Sequence, residues 1–317
     1  TELGVTVDVS GFDYGRVFRK SRAAAERLSK GVQFLLKKNE VEYIAGTARL
    51  ASAHEVVVDG KTLTASNVLL ATGSRPRSIP GFEIDEKSIL SSTGALMLEE
   101  VPKRFLILGA GAIGMEFAYV MNSFGAEVTV VEMLDRVLPL EDAETVAVVH
   151  KEFSRRGIKM LTGTKAAGVK KTASGLAVSL TGKEGGGQTV EADKVLVAVG
   201  RAPNTEGLGL EEIGVGLEKG FVRTGDYYET AVSGVYAVGD VIPTPLLAHV
   251  ASKEGEIAVE RMAGGNPPKR VPRDEIPSAV YCEPQIGGFG PTEEEAVRRG
   301  LRFGKAVFPY RDRKSVV

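Results

Sequence analysis

A glycine-rich turn followed by an acidic strand end is the pattern in this sequence that most clearly implies chemistry. The turn reads GAGAIG, and its members are Gly109, Ala110, Gly111, Ala112, Ile113 and Gly114. It follows an apolar run, opens a helical pattern, and precedes a second apolar run that ends in Glu132. In that context the backbone can approach a pyrophosphate, helix N–H groups meet its charge, and the carboxylate accepts from ribose hydroxyls. The pattern predicts a site for NAD, preferred over NADP because Glu132 would repel a 2′-phosphate.

Glu116 lies in the first turn of the predicted helix and allows two interpretations. The helix dipole favours a carboxylate at this end of a helix. Alternatively, the side chain contacts the nicotinamide end of the dinucleotide. Its position in the sequence does not distinguish the two.

Cysteine and histidine chemistry is scarce. Cys282 is the single cysteine, and the three histidines, His54, His150 and His249, are far apart in the sequence. An intrachain disulfide is therefore excluded, and the spacing argues against a Cys/His zinc site. Because dithiol exchange needs two thiols, we interpret Cys282 as a small buried apolar residue.

The composition excludes several function classes. A chain of 317 residues predicts about two domains. Lys plus Arg total 40 and Asp plus Glu total 41, a balance that argues against a nucleic-acid binder. Apolar runs are too short for a membrane helix, so no membrane partner is expected. The 38 glycines exceed average usage and indicate turns in which the backbone approaches other groups closely.

Strand-like and helix-like patterns alternate along the chain, which predicts parallel sheets covered on both faces. The predicted helices span 12–39, 115–124, 142–156 and 248–262. A hairpin is predicted at 177–190, and strands at 41–45, 55–58, 68–71, 105–108, 127–132, 158–161, 194–199 and 235–238.

Three further strands end in glycine-containing segments, at 71–74, 198–201 and 237–240. Ligands gather at the carboxyl ends of strands in open α/β sheets, so a second nucleotide site is consistent with this pattern. Asp240 has two interpretations, because an aspartate after a glycine is more often a turn residue than a ligand.

Taken together, ATGSRP, GAGAIGMEFA, GRAPNT, VYAVGD and LLAHVASKEG resemble the two-dinucleotide flavoprotein disulfide reductases. The segments VEMLDRVLP, GRAPNT and YCEPQIGGFGPTEEEA are typical of the dihydrolipoamide dehydrogenase branch of that family. The resemblance covers essentially the whole chain. It implies FAD and NAD as cofactors.

The resemblance also implies roles for individual residues. Those matching NAD contacts are Gly109, Ala110, Gly111, Ala112, Ile113, Gly114, Glu116, Glu132, Ala166 and Gly200. Those matching FAD contacts are Ala48, Thr72, Gly73, Ser74, Asp240, Leu246, Leu247, Ala248 and His249. For His249 we favour a helix-capping role over proton chemistry, because the family uses backbone groups at this position.

The fold expected from the resemblance is α/β. It contains two Rossmann-like dinucleotide-binding domains, of which the FAD domain is incomplete, and the beginning of an α+β interface domain. The predicted division is an FAD domain in two parts, 1–92 and 215–271, an NAD domain at 93–214, and the start of the interface (dimerisation) domain at 272–317.

The sequence departs from the family at the residues that perform dithiol chemistry. The family's redox cysteine pair, its first glycine loop for FAD and its acid/base histidine have no counterpart here. We therefore expect no catalytic residue in this chain, and we expect the chain to be the middle of a longer enzyme.

The resemblance implies an oxidoreductase that passes electrons from dihydrolipoyl groups, through a disulfide and FAD, to NAD. Its partners would be a lipoyl-bearing carrier protein or an acyltransferase of 2-oxoacid dehydrogenase complexes, and the intact enzyme would be a homodimer. Low cysteine usage suggests the cytoplasm, or the mitochondrial matrix in a eukaryote. The alternatives are another family member, of the mercuric reductase or transhydrogenase type, or a non-catalytic nucleotide-binding fragment.

Overall fold

The structure is a computed structural model that describes Gly4, residues 10–183 and residues 185–308. Within these ranges the helices are α1 (Tyr14–Lys38), α2 (Ser92–Leu96), α3 (Ala112–Ser123), α4 (Ala143–Arg155), α5 (Ala248–Met262) and α6 (Glu293–Arg298). The strands of the first third are β1 (Ala48–Ser52), β2 (Glu55–Val58), β3 (Lys61–Thr64), β4 (Val68–Leu70), β5 (Ser74–Pro76) and β6 (Ile89–Leu90). Those of the middle are β7 (Arg104–Leu108), β8 (Glu127–Val131), β9 (Lys159–Leu161), β10 (Thr164–Thr172), β11 (Gly175–Gly182), β12 (Gly187–Ala192), β13 (Lys194–Val197) and β14 (Arg201–Pro203). The last are β15 (Leu217–Glu218), β16 (Phe221–Val222), β17 (Val235–Ala237), β18 (Pro277–Val280) and β19 (Ile286–Phe289).

The middle of the chain folds around a five-stranded parallel sheet with the strand order β6-β13-β7-β8-β9. Along β7, Phe105 and Ile107 pack on one side with residues of α3 and α4. The alternate residues Leu106 and Leu108 pack on the other side against the antiparallel sheet β10-β11-β12. Because both faces are covered, the inner residues of these strands are almost all apolar and do not alternate with polar ones; Thr129 on β8 is the buried exception. The sheet confirms the predicted α/β class.

A second core unites segments from both ends of the chain. The parallel pair β4 and β17 packs with α5, and Leu70, Tyr236 and Ile257 are buried together. The small antiparallel sheet β1-β2-β3 contributes Leu50 to this core. Sequence-distant strands therefore build one unit, as expected where another unit is inserted between them.

Two connections join the units side by side. Strand β5, which follows β4, pairs antiparallel with β14, which follows β13. Beyond α5, the hairpin β18–β19 packs on α3, with Val280, Cys282 and Ile286 entering the core of the five-stranded sheet. The predicted division of the chain at 92, 214 and 271 stays a prediction, and β6 joins the central sheet just before the first of these positions.

The segment 41–45 was expected to be a strand, and that expectation is wrong. No strand is assigned there, and Val41 instead donates its N–H to the carbonyl of Leu36 at 2.9 Å, at the end of α1. Apolar β-branched residues alone do not make a strand, because the backbone must also find a neighbouring strand to pair with. Helix α1 is present as predicted, yet it has no buried residue.

Two absences apply to the described part of the chain. None of its helices has the length and apolar character needed to cross a lipid bilayer. Its histidine, cysteine, aspartate and glutamate side chains form no group of three or more able to hold a metal ion.

Candidate functional site

The glycine turn after β7 is shaped by close backbone contacts. Gly109 has a φ of +102°, and a Cβ built there would overlap the carbonyl oxygen of Ala198. A Cβ on Gly114 would overlap the carbonyl oxygen of Gly109, so α3 can lie this close to β7 only with glycine there. A Cβ on Gly111 would have no atom within 4 Å. The first and third glycines therefore serve the fold, whereas the second borders open space.

The N-terminus of α3 faces that open space. Gly111 is its N-cap residue, and no side chain makes a capping hydrogen bond there. The first N–H groups of a helix have no partner within the helix, and together with the helix dipole they attract anions. A diphosphate bound beside Gly111 would meet these groups directly.

Glu132 lies beside the turn, half-buried at the end of β8. Its Oε2 accepts a hydrogen bond from the N–H of Ala110 at 2.8 Å, and its Oε1 accepts from the N–H of Leu134 at 2.8 Å. Each carboxylate oxygen has two lone-pair sites, so both retain capacity to accept from ribose hydroxyls. The side chain thus also holds the glycine turn, a role that the sequence pattern did not indicate.

Glu116 makes a contact that neither interpretation of the sequence included. Its Oε1 accepts a hydrogen bond from the backbone N–H of Tyr281 at 2.8 Å. This bond ties α3 to the segment between β18 and β19. The partners are 165 positions apart, so no local pattern could have indicated the contact.

The remaining residues with predicted NAD contacts are Gly200, which follows β13, and Ala166, which lies on β10. Gly200 has a φ of +111° with no atom within 4 Å of a built Cβ, and its carbonyl accepts from the N–H of Arg77 at 3.0 Å. Ala166 lies on β10 and packs against the apolar cluster between the two sheets.

A polar network joins the ends of β4 and β17, where the second site was predicted. The hydroxyl of Ser74 donates to Oδ2 of Asp240 at 2.6 Å. Arg201 donates from Nε to the same hydroxyl at 2.6 Å and from Nη2 to the Ser74 carbonyl at 2.7 Å. The guanidinium also lies 3.7 Å from Asp240. Asp240 is therefore more than a turn residue, and Arg201, which lies within the GRAPNT segment but was not among the predicted site residues, belongs to the same network.

The loop 72–74 is bound to the segment that follows β14. The hydroxyl of Thr72 donates to the carbonyl of Asn204 at 2.7 Å, and the Asn204 side-chain amide donates to the carbonyl of Thr72 at 2.9 Å. Arg75 forms a bidentate pair with Glu206, with N–O distances of 2.9 and 2.6 Å. The hydrogen bond from Arg75 lowers the pKa of Glu206 to about 2, so this pair stays charged at any pH near neutral.

The remaining residues predicted to contact FAD lie on β1 and at the start of α5. Ala48 begins β1 and pairs with Val58, while Leu246 and Leu247 precede α5, which starts at Ala248. His249 does not cap that helix, contrary to the prediction. Leu247 is the N-cap residue, and the Nε2–H of His249 donates to the carbonyl of Pro277 at 3.0 Å.

Cys282 is buried, as the sequence interpretation required. Its thiol lies 3.1 Å from the carbonyl oxygen of Pro284. Burial raises the pKa of Cys282 to about 11, and the carboxylates of Glu116 and Glu283 add to the rise. The thiol is therefore protonated near neutral pH and is a poor nucleophile.

Comparison with known proteins agrees with this architecture. The family model described as pyridine nucleotide-disulphide oxidoreductase matches residues 6–255. The dihydrolipoyl dehydrogenase of Thermus scotoductus is 44% identical, covering 90% of this chain and 62% of its own length. The mitochondrial dihydrolipoyl dehydrogenase of Pisum sativum is 39% identical, covering 97% and 62% respectively. The chain thus spans less than two thirds of these curated relatives.

Solved structures show the same fold. The crystal structure of LpdA from Mycobacterium tuberculosis is 29% identical and superposes with a TM-score of 0.85 over 94% of this chain and 66% of that one. The flavoprotein disulfide reductase RclA from Escherichia coli, at 24% identity and a TM-score of 0.82, covers 90% of this chain and 66% of its own, and shows the fold alone.

Proposed function

Since the chain belongs to the pyridine nucleotide-disulphide oxidoreductase family, we propose that it carries the NAD(H) site and much of the FAD site of a dihydrolipoyl dehydrogenase. The observation that supports this proposal most strongly is the open space at Gly111. The uncapped N-terminus of α3 faces this space, and the carboxylate of Glu132 lies beside it. A diphosphate and an adenosine ribose require these two elements in this order along a βαβ unit.

In the NAD(H) site, each part of the turn has one task. The N-terminus of α3 binds the pyrophosphate, and Gly111 lets the backbone approach it. Glu132 accepts from the ribose hydroxyls while holding Ala110 and Leu134 in place. Ala166, Gly200 and Glu116 would complete the site, Glu116 towards the nicotinamide end with the carboxylate oxygen that Tyr281 leaves free.

The residues at the ends of β4 and β17 fit FAD. Ser74, Asp240 and Arg201 combine a hydroxyl, a carboxylate and a guanidinium, which can bind the hydroxyl groups and phosphates of the cofactor. A Cβ built on Gly73 would have no atom within 4 Å, so the loop leaves room for a ligand. When bound, FAD supplies the two-electron chemistry between a dithiol and NAD. This chain's residues position the flavin and the nicotinamide; backbone groups of 246–249 would lie beside the flavin ring.

The dithiol step belongs to residues that this sequence does not contain, because its single cysteine is buried and protonated. We therefore propose hydride exchange between the two cofactors as the role of this part of the enzyme. The reducing substrate would be a lipoyl group on a carrier protein or on an acyltransferase, and the intact enzyme would be a homodimer. Bacterial and mitochondrial relatives suggest the cytoplasm or the mitochondrial matrix as the compartment.

The proposal predicts that NADH binds at least about tenfold more tightly than NADPH. A 2′-phosphate beside Glu132 would place two negative charges close together. If about 1.4 kcal/mol of this repulsion remains after solvent screening, the affinity for NADPH falls by a factor of ten. Fluorescence titration would give both dissociation constants for the native chain, for Glu132→Gln and for Asp135→Asn. Glu132→Gln removes the charge but keeps a hydrogen-bond acceptor, so it should narrow the NADH preference.

Asp135→Asn is the matched control, because it removes the same charge from an exposed loop position nearby. It should leave the ratio of the two constants unchanged. Absence of saturable NADH binding by the folded chain would contradict the proposal. A native preference that survives in Glu132→Gln would place the selectivity elsewhere.

Two further expectations follow for this sequence. FAD binding should be weak or lost, because the family's first glycine loop is not in it. Reduction of NAD by dihydrolipoamide, assayed with added FAD, should not proceed, because one thiol cannot cycle between dithiol and disulfide. Robust turnover by a molecule of this sequence and verified mass would contradict the proposal that the dithiol step belongs to residues outside this sequence.

A further inference from the structure

A fully buried carboxyl group lies directly behind the second site. Glu254 on α5 has 0% of its surface exposed, and no other acidic residue is buried among the residues that the structure describes. Burying an acidic side chain is costly unless it has a specific partner. Its Oε2 accepts a hydrogen bond from the backbone N–H of Gly239 at 2.7 Å.

The partner of Glu254 is the turn that carries Asp240. Gly239 has a φ of +73°, and a Cβ built there would lie 3.1 Å from the Cβ of Ala251 on α5. The turn is therefore pressed against the helix, and its N–H points at Glu254. The next residue, Asp240, directs its carboxylate towards the hydroxyl of Ser74 at 2.6 Å.

Burial raises the pKa of Glu254 above its ordinary value. The N–H of Gly239, the side chain of Thr244 and the guanidinium of Arg270 oppose the rise, and the charge of Asp240 adds to it. A protonated carboxyl group retains an oxygen that accepts from Gly239. Its role therefore depends on an acceptor at the right distance and does not require a negative charge.

We propose that Glu254 is a positioning residue that fixes the turn at Gly239, so that Asp240 meets the hydroxyl groups of the flavin's ribityl chain. The inference rests on the proposed function, which assigns Asp240 to FAD. Glu254 acts through Asp240 and does not touch the cofactor itself. Without the acceptor, the N–H of Gly239 would lose its partner at a partly buried position, and the turn would rearrange.

Three variants of the full chain test this role by FAD fluorescence titration. Glu254→Leu keeps the volume but removes the acceptor, and it should weaken FAD binding by about tenfold, the scale of one hydrogen bond. Glu254→Gln keeps an acceptor oxygen and should stay within about threefold of the native constant. Glu256→Gln, on the exposed side of the same helix, is the control and should match the native chain.

A double variant tests whether the effect runs through Asp240. Asp240→Ala with Glu254→Leu should bind FAD no more weakly than Asp240→Ala alone, because the positioned group is already gone. The NADH constant, measured on the same samples, should be native throughout. If Glu254→Leu does not bind NADH, the variant is not folded, and Glu254→Asp is measured in its place. The shorter aspartate side chain cannot reach the N–H of Gly239.

A native FAD constant in Glu254→Leu would overturn the inference, as would additive losses in the double variant. Where the native chain binds too little FAD to titrate, as the missing first glycine loop would cause, hydrogen exchange at the Gly239 amide decides the positioning role independently. Faster exchange in Glu254→Leu than in the native chain supports the fixed turn, and unchanged exchange rules it out.

Discussion

At the scale of single residues, the surroundings of Cys282 determine its reactivity. A pKa raised from 9.0 to about 11 lowers the thiolate fraction about 100-fold at pH values below both. Alkylation by iodoacetamide at neutral pH should therefore be at least about 100-fold slower in the folded chain than in guanidinium. Mass spectrometry of timed samples would measure both rates. Comparable rates would show that the thiol is accessible and ionised more easily than the structure indicates.

Asp85 gives a pH-dependent contribution to stability. Burial raises its pKa, but the N–H groups of Ile89, Lys87 and Ser88, which all donate to Oδ1, outweigh burial and lower the pKa to about 2. A lowered pKa means that the contribution is complete above the ordinary value of 3.8 and is lost as the pH falls through about 2.

Thermal unfolding of Asp85→Ala should therefore show its largest deficit in Tm relative to the native chain near pH 7. The deficit should narrow as the pH is lowered from about 4 towards 2. Glu211→Ala, at an exposed position, should show no such trend. A deficit that stays constant over this range would mean that Asp85 acts by packing and not by its charge.

The local geometry of the glycine turn could be predicted from the sequence, because one short motif contains the whole argument. The glycine turn and Glu132 needed only a strand, a turn and a second strand, and all three are found next to one another. Arg201 and the contact of Glu116 with Tyr281 depend on chain segments far apart in the sequence. No periodicity encodes which distant backbone group a side chain will reach.

At the scale of elements, two glycines of the same turn should respond differently to substitution. Gly114→Ala forces a methyl group onto the carbonyl of Gly109, so α3 must move from β7 at a cost of about 1 to 3 kcal/mol in unfolding free energy. Gly111→Ala meets no atom within 4 Å and should leave stability unchanged. Its methyl group would nevertheless occupy the space proposed for the pyrophosphate, and NADH binding should weaken by at least about tenfold.

Denaturant unfolding and NADH titration of the two variants would separate these effects. Equal stability losses would mean that Gly111 also serves the fold. Unchanged NADH binding by Gly111→Ala would place the pyrophosphate elsewhere.

Helices were easier to predict than short strands. Helices α4 and α5 were located to within a residue or two, because an apolar stripe at helical spacing needs no partner to be recognised. No strand was predicted where β14 lies, and 41–45 was expected to be a strand. Strands depend on pairing, and the partner of β14 is β5, more than a hundred residues earlier.

At the scale of the whole molecule, stability should be distributed unevenly. Helix α1 has no buried residue, whereas α3 buries four side chains or backbone positions along twelve residues. A helix with so little buried surface is marginal in water, so amides in α1 should exchange at least about 100-fold faster than those in α3. Hydrogen exchange with mass spectrometry would compare the two helices in one sample. Equal protection would show that the apolar residues of α1, including Leu28 and Val32, are covered in solution.

The antiparallel pairing of β5 with β14 brings together the two ends of the chain segment 77–200, which contains the glycine turn. Its entry and exit lie beside each other, with the N–H of Arg77 only 3.0 Å from the carbonyl of Gly200. To the host fold, everything between these residues is one long loop whose ends are already closed, and loop length carries only a small entropic cost. Such a module can be exchanged, duplicated or grafted between chains in a single genetic event, while the strands on either side keep their register.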